Sequence, residues 1–225
     1  MSVVLAVDVG GSHVKALTSN ADEPRRIDSG ARLRADQMVE RISAAVAGWS
    51  FDVVSIGVPT PVHGGRVVSD PVNLGRGWVG FDFGAAFGKP TRVVNDAAMQ
   101  ALGSYDRTGT MLFLGLGTGL GSALVSRGLV QPMELGHLPY RKKTFEEYVG
   151  DAALERRGKK RWRKDVVAAV AALTAALQPD YVVLGGGNAK LVDELPENVR
   201  LGSNENAFRG GFLLWDEHAP ARIPE

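Results

Sequence analysis

Two glycine turns, each following an apolar, β-strand-like run, are the stretches of this chain best suited to chemistry. In Asp8-Val9-Gly10-Gly11-Ser12-His13-Val14-Lys15 the paired glycines let the backbone turn tightly, so that its N–H groups can converge on a phosphate. Asp8, at the carboxyl end of its run, is placed to hold Mg²⁺ through water, while Ser12 adds a hydroxyl and Lys15 a cation. A plain hairpin turn is the ordinary reading of a lone Gly-Gly pair. A carboxylate ending a buried strand weighs against it, because such a group needs a partner. The second turn is Gly115-Leu116-Gly117-Thr118-Gly119-Leu120-Gly121. Leu120 stands where a dinucleotide fingerprint has its last glycine, and the chain contains no GxxxxGK[ST] sequence, so neither common nucleotide loop applies. Four alternate glycines leave a flat backbone open to anionic oxygens, and a structural bulge would use one or two.

Asn95-Asp96 follows an apolar strand and opens a helical stretch. Asp96 is either an N-cap or a general base that takes a hydroxyl proton as phosphoryl transfer proceeds. Asn95 beside it carries both a donor and an acceptor for a neighbouring hydroxyl. Glu134-Leu135-Gly136-His137 sets an acid and an imidazole three residues apart, a spacing that suits a surface ion pair as well as a ligand site. Glu146, by itself, reads as a solvated helix face. The run Arg156-Arg157-Gly158-Lys159-Lys160-Arg161-Trp162-Arg163-Lys164 is either an exposed helix flank or a track for a polyanion.

The elements that must position these groups follow an α/β order in two halves. Val3 to Val9 predicts a central strand, Val14 to Ser19 a second, and Met38, Ile42, Ala45 and Val46 a helix over about 35–47. Val53 to Val58 and Thr91 to Val94 predict further strands, with a helix from Asp96 to Tyr105. Residues 62–81 read as a long functional loop. In the second half, Met111 to Leu116 and Ser122 to Ser126 flank the second turn. A single long helix is expected over Asp151 to Leu177, a strand over Tyr181 to Leu184, and a closing helix over Ala207 to Trp215. Shifted by 107 positions, Val9-Gly10-Gly11-Ser12 overlies Leu116-Gly117-Thr118-Gly119, and Ala16-Leu17-Thr18-Ser19 overlies Ala123-Leu124-Val125-Ser126. The expected organisation is therefore a duplicated strand–glycine turn–strand unit. An N-terminal lobe would span 1–94 and take back a helix from 205–225, with a second lobe over 95–204.

Bulk properties narrow the field. The 225 residues include 26 Lys+Arg against 25 Asp+Glu, so no global field recruits DNA or an anionic membrane, and any polyanion needs a local site. The absence of cysteine excludes disulfides, thiolate metal sites and cysteine nucleophiles, and it fits a reducing, cytoplasmic setting. The opening residues read as a strand, not a signal peptide, and no apolar run approaches the roughly 20 residues of a membrane helix.

Taken together, Val7-Asp8-Val9-Gly10-Gly11-Ser12, Gly57-Val58-Pro59-Thr60-Pro61-Val62-His63-Gly64, Asn73-Leu74 with Trp78, Val94-Asn95-Asp96-Ala97, Leu116 to Ala123, Glu134-Leu135-Gly136-His137 and Gly185-Gly186-Gly187 resemble the ROK family of sugar kinases and repressors. The likeness is greatest to its polyphosphate glucokinase branch. It implies the two-lobed actin/hexokinase-like (ribonuclease H-like) fold and phosphoryl transfer from polyphosphate, ATP or both to the 6-hydroxyl of glucose. Carried over by position, Asp8 (with Mg²⁺), Gly10, Gly11, Ser12 and Lys15 resemble the first phosphate motif, and Gly117, Thr118 and Gly119 the second. Asn73, Asn95, Glu134, His137 and Glu146 resemble the sugar contacts and Asp96 the catalytic base, while Gly186 and Gly187 are similar to the turn beside the adenosine of ATP. The resemblance also implies a homodimer. Three departures matter. The usual zinc cysteines are missing, so no zinc is expected and His137 would meet sugar directly. No helix-turn-helix precedes the first strand, so a repressor role is not expected. The chain is shorter than typical members in the second lobe, which leaves the donor open. The alternatives are an ATP-dependent kinase for mannose, fructose or an amino sugar, and a non-catalytic sugar-binding or regulatory protein.

Overall fold

In the computed structural model, which describes residues 2–203 and 205–224, the chain builds two five-stranded sheets of the same topology. The first half contains Val4–Val9 (β1), His13–Thr18 (β2), Arg25–Asp28 (β3), Ala35–Ala45 (α1), Val53–Val58 (β4), the small hairpin Val62–His63 (β5) and Arg66–Val67 (β6), Phe83–Phe87 (α2), Thr91–Asn95 (β7) and Asp96–Ser104 (α3). The second contains Met111–Leu116 (β8), Leu120–Ser126 (β9), Leu129–Met133 (β10), the hairpin Pro139–Tyr140 (β11) and Lys143–Thr144 (β12), Glu146–Val149 (α4), Asp151–Arg157 (α5), Lys159–Leu177 (α6), Tyr181–Gly185 (β13), Val199–Leu201 (β14) and Asn206–Leu213 (α7). The sheet orders are β3-β2-β1-β4-β7 and β10-β9-β8-β13-β14. In each, an antiparallel meander of three strands is extended by two parallel ones. The shift of 107 residues seen in the sequence carries β1 onto β8 end to end. The fold is the actin/hexokinase-like one that the motifs imply.

β1 reads as a near-continuous apolar run because both of its faces are covered. Leu5, Val7 and Val9 pack with Met38 and Ile42 of α1 on one face. On the other, Ala6 lies where a side chain on Gly211 of α7 would have to be. The second sheet is likewise lined on both sides. Leu112, Leu114 and Leu116 meet Trp162, Val166 and Leu173 of α6, and Met111 and Phe113 meet Ala97, Ala101 and Leu102 of α3. The inner helices α3 and α7 cross at Gly103 and Gly210, each of which abuts the other helix's backbone too closely for a side chain. The 94/95 junction falls at the end of β7, and α3 then leaves directly for the second sheet.

The long helix expected over 151–177 is two helices. Gly158, with φ 73° and ψ 154°, adopts a conformation that only glycine takes without strain, and it separates α5 from α6. The break lets Trp162 turn inward, where it is fully buried and its indole N–H donates to the Val149 carbonyl at 2.7 Å. Residues 62–81 are more ordered than a plain loop. They contain the β5–β6 hairpin and a turn in which the Asp70 carboxylate accepts the N–H groups of Gly77 and Trp78 at 3.0 and 2.8 Å.

Candidate active site

The two glycine turns meet. A Cβ on Gly11 would lie 3.2 Å from the Thr118 hydroxyl and 3.6 Å from the Cβ of Asn73, so the first turn, the second turn and the 70–78 loop converge there. The first turn is a hairpin turn, closed by the Gly10 N–H donating to the His13 carbonyl at 2.9 Å. The second is seated on the start of α5, where the Asp151 N–H donates to the Gly117 carbonyl at 3.0 Å and Gly150 packs against Thr118 and Gly119. Asn73 is held in place because Trp78 is fully buried, its indole N–H donating to the Leu33 carbonyl at 3.3 Å, and because the Gly75 N–H donates to the same carbonyl at 2.9 Å. Gly186 lies against the backbone of Leu116 with φ 81°, at the root of the second turn, and Gly187 beside it faces open space. Ser12 is exposed, and its carbonyl accepts the Ser29 N–H at 3.0 Å.

Asn95, not Asp96, caps α3. Its side-chain oxygen accepts the Ala98 N–H at 3.1 Å and its amide donates to the Thr60 carbonyl at 3.3 Å. Asp96 is the first helical residue, and the N-cap reading of it falls away. One carboxylate oxygen accepts the Ala97 N–H at 2.7 Å. Burial, and then the charges of Asp8 and Glu134, push its carboxyl up to about 7 against that hydrogen bond. Gly57 makes this placement possible: it lies against Met99 and the Asp96 Cα, so a side chain there would displace the first turn of α3. Asp8 is also raised by burial, an effect opposed by Lys15, its cross-strand partner.

The remaining sugar candidates gather opposite. Glu134 and His137 approach to 3.9 Å, and the Glu134 carboxyl is raised by burial and by Glu146, while His137 lowers it. Glu146 does not sit on a solvated face. Its carboxylate fills the space beside Gly119 and accepts the Leu120 N–H at 3.4 Å. The charges of Asp8 and Glu134 thus bear on Asp96, and that of Glu146 on Glu134, which links the four carboxylates in series. Ser122, a member of the second motif with no role read into it, is buried. Its hydroxyl donates to the Met133 carbonyl at 2.8 Å and accepts the Leu135 N–H at 3.1 Å, which clamps the Glu134–His137 segment to β9. A cavity of about 1200 Å³ opens between the edge strands β7 and β10 and reaches Asn95 and Glu134. Among the described residues no group of three His, Asp or Glu side chains is gathered as a metal cage.

The basic run divides in two. Arg157 and Arg141 flank buried Asp165 at 2.8 and 3.0 Å, and Arg163 pairs with Asp193, so these cations are structural. Lys159, Lys160, Arg161 and Lys164 are exposed. No helix among the described residues is long and apolar enough to cross a membrane.

No family model matches the chain. It is 29% identical over 212 residues to the polyphosphate glucokinase of Mycobacterium tuberculosis, covering 84% of this chain and 78% of that protein. The inorganic polyphosphate/ATP-glucomannokinase of Arthrobacter sp. strain KM superposes with a TM-score of 0.76 at 24% identity, over 93% of this chain and 96% of that one. A ROK family glucokinase from Streptomyces griseus, solved with glucose and AMPPNP, gives 0.72 at 18% identity over 92% and 97%. The resemblance to ROK sugar kinases and to polyphosphate glucokinases is borne out in both sequence and fold.

Proposed function

We propose that this protein is a glucokinase that moves a phosphoryl group from polyphosphate, ATP or both to the 6-hydroxyl of glucose. The observation that carries the reading is the meeting of two glycine turns at Gly11 and Thr118 in a molecule whose Asp96 interacts with both Asp8 and Glu134. The two sheets act as lobes, 1–94 with 205–225 and 95–204. Sugar lies between them on Asn73, Asn95, Glu134, His137 and Glu146, where carboxylates and an imidazole supply the paired acceptors and donors that vicinal hydroxyls need. Asn95 has only part of its amide left for this, since it also caps α3.

Asp96 accepts the 6-hydroxyl proton as the new O–P bond forms and the donor's bridging P–O bond breaks. A carboxyl near 7 suits that work, being about half ionised at neutral pH and basic enough to take the proton. The backbone N–H groups of both turns, with Ser12, Thr118 and Lys15, hold the donor phosphates. Asp8 fits an indirect hold on Mg²⁺. It is a buried carboxylate whose charged form is disfavoured, with Lys15 as its cationic neighbour. With no cage of three ligands around it among the described residues, the ion would rest chiefly on water and donor oxygens. When bound, Mg²⁺ neutralises charge on the donor.

The deciding experiment measures glucose phosphorylation in parallel with ATP and with polyphosphate. Glucose 6-phosphate from at least one donor is expected. Formation from neither, with glucose binding intact by calorimetry, would replace this reading with a non-catalytic sugar binder. Mannose is the informative competing acceptor, since a structural neighbour is a glucomannokinase.

A further inference from the structure

The loop from β3 to α1 and the first turns of α1 enclose a second concavity, of about 510 Å³, on the flank of the first glycine turn. Its charged lining consists of Arg32 and Arg41, and among the described residues no carboxylate lines it. Of the two acids on α1, Asp36 is paired with Arg34 at 2.9 Å and Glu40 does not line the pocket. Neither Arg32 nor Arg41 has an ion-pair or hydrogen-bond partner among the described residues, whereas Arg34, between them in sequence, does. Gln37, which also lines the pocket, uses its carbonyl oxygen on the Arg34 N–H at 3.3 Å and keeps its amide protons to donate. The Ser29 hydroxyl is buried and has no partner among the described residues. That last group is the pointed one, because a buried hydroxyl is normally satisfied by protein or by something bound.

Two guanidinium groups, an amide and a hydroxyl around one concavity, with no opposing acid, form a donor set for tetrahedral phosphoanions. One of its lining residues, Ser29, is tied to the first turn by its N–H donating to the Ser12 carbonyl at 3.0 Å. We propose that Ser29, Arg32, Gln37 and Arg41 form a distal phosphate subsite, holding phosphoryl groups of a chain donor several units away from the one transferred. This placement rests on the kinase reading above; the pocket's affinity for phosphoanions does not. A chain anchored there would present its terminal unit to the two turns, and polyphosphate would gain contacts that ATP, with three phosphates and a nucleoside, does not make.

The test uses the full chain as Arg32→Glu/Arg41→Glu and the milder Arg32→Gln/Arg41→Gln, with folding checked by thermal melts. Expected is a rise of roughly tenfold or more in KM for long-chain polyphosphate and a shallower salt dependence of its binding. KM for glucose and for ATP should stay within about twofold. Titration calorimetry with long-chain polyphosphate, without sugar, should show the same loss, and a titration with orthophosphate tells whether a single phosphate suffices. Unchanged polyphosphate binding in both variants overturns the subsite. An equal rise in KM for ATP overturns its distal placement. If wild type phosphorylates glucose with no donor, the kinase reading fails, while the calorimetry still decides the pocket.

Discussion

Asp96 combines two properties that are hard to have together: it is fixed by the first turn of a helix, and its charge is disfavoured. Its Ala97 N–H contact sets its geometry, and burial with Asp8 and Glu134 sets its affinity for a proton. Asp96→Asn should keep the shape and remove the base, lowering kcat by roughly 10²-fold or more while the glucose Kd, read by calorimetry, stays within a few-fold. The pH profile has a definite sign. On the proposed role Asp96 is ionised when it acts, so kcat/KM should fall about tenfold per unit as the pH drops below about 7. Stability runs the other way. The folded protein holds this proton more tightly than the unfolded chain does, so the stabilisation is complete below the unfolded value of 3.8 and is lost as pH rises through about 7. In the ligand-free protein, Asp96→Asn should therefore be more stable than wild type at pH 8, by on the order of 2–4 kcal/mol, and nearly equal to it at pH 4 in urea titrations. The strand–turn–strand units and the helix that opens at Asp96 were legible because each has a local signature. The roles of Asn95 and Glu146 were not. Whether an Asn caps a helix or faces a ligand depends on where the Ala98 and Thr60 groups lie. Glu146 turns inward only because residue 119, far from it in sequence, has no side chain.

At the scale of elements, the legible parts were the apolar runs: β1, β4 and β8 lie where the sequence places them, because strands covered on both faces leave an unbroken hydrophobic record. The edge strands β3 and β14, Arg25–Asp28 and Val199–Leu201, escaped notice since they are short, largely exposed and rich in charge. The break at Gly158 escaped too, because one glycine in an Ala/Val/Leu-rich stretch is compatible with a continuous helix and only the packing of Trp162 demands a bend. The crossing of α3 and α7 is the element contact with least slack. Gly103→Ala should cost about 3 kcal/mol or more, read as a lower urea midpoint, because its methyl would meet the Asn206 carbonyl and the Gly210 backbone. The exposed part of the basic run calls for the opposite expectation on stability. Charge reversal at Lys159, Lys160 and Arg161 should leave the melting temperature nearly unchanged, and its effect on polyphosphate KM separates a solvated flank from a second anion track.

For the molecule as a whole, the repeat visible at one fixed offset announced the doubling of the strand–turn–strand unit, yet not how the halves are joined. That junction is made by α7 and the residues after it. The Ser55 hydroxyl, on the inner face of β4, donates to the Gly211 carbonyl at 2.6 Å and accepts the Trp215 indole N–H at 2.9 Å. Arg92 of β7 lies over the same indole, 4.4 Å from its ring. Trp215→Ala should lower stability by about 1–3 kcal/mol, seen as an earlier thermal transition. The position of α7 bears on how the protein is made. Residues 206–213 leave the ribosome after every strand of both sheets, so a nascent first sheet waits with Ala6 and Ser55 uncovered until they arrive. Assembly of this molecule is therefore a late event in synthesis, and chains stopped at residue 205 should be found with chaperones or in aggregates.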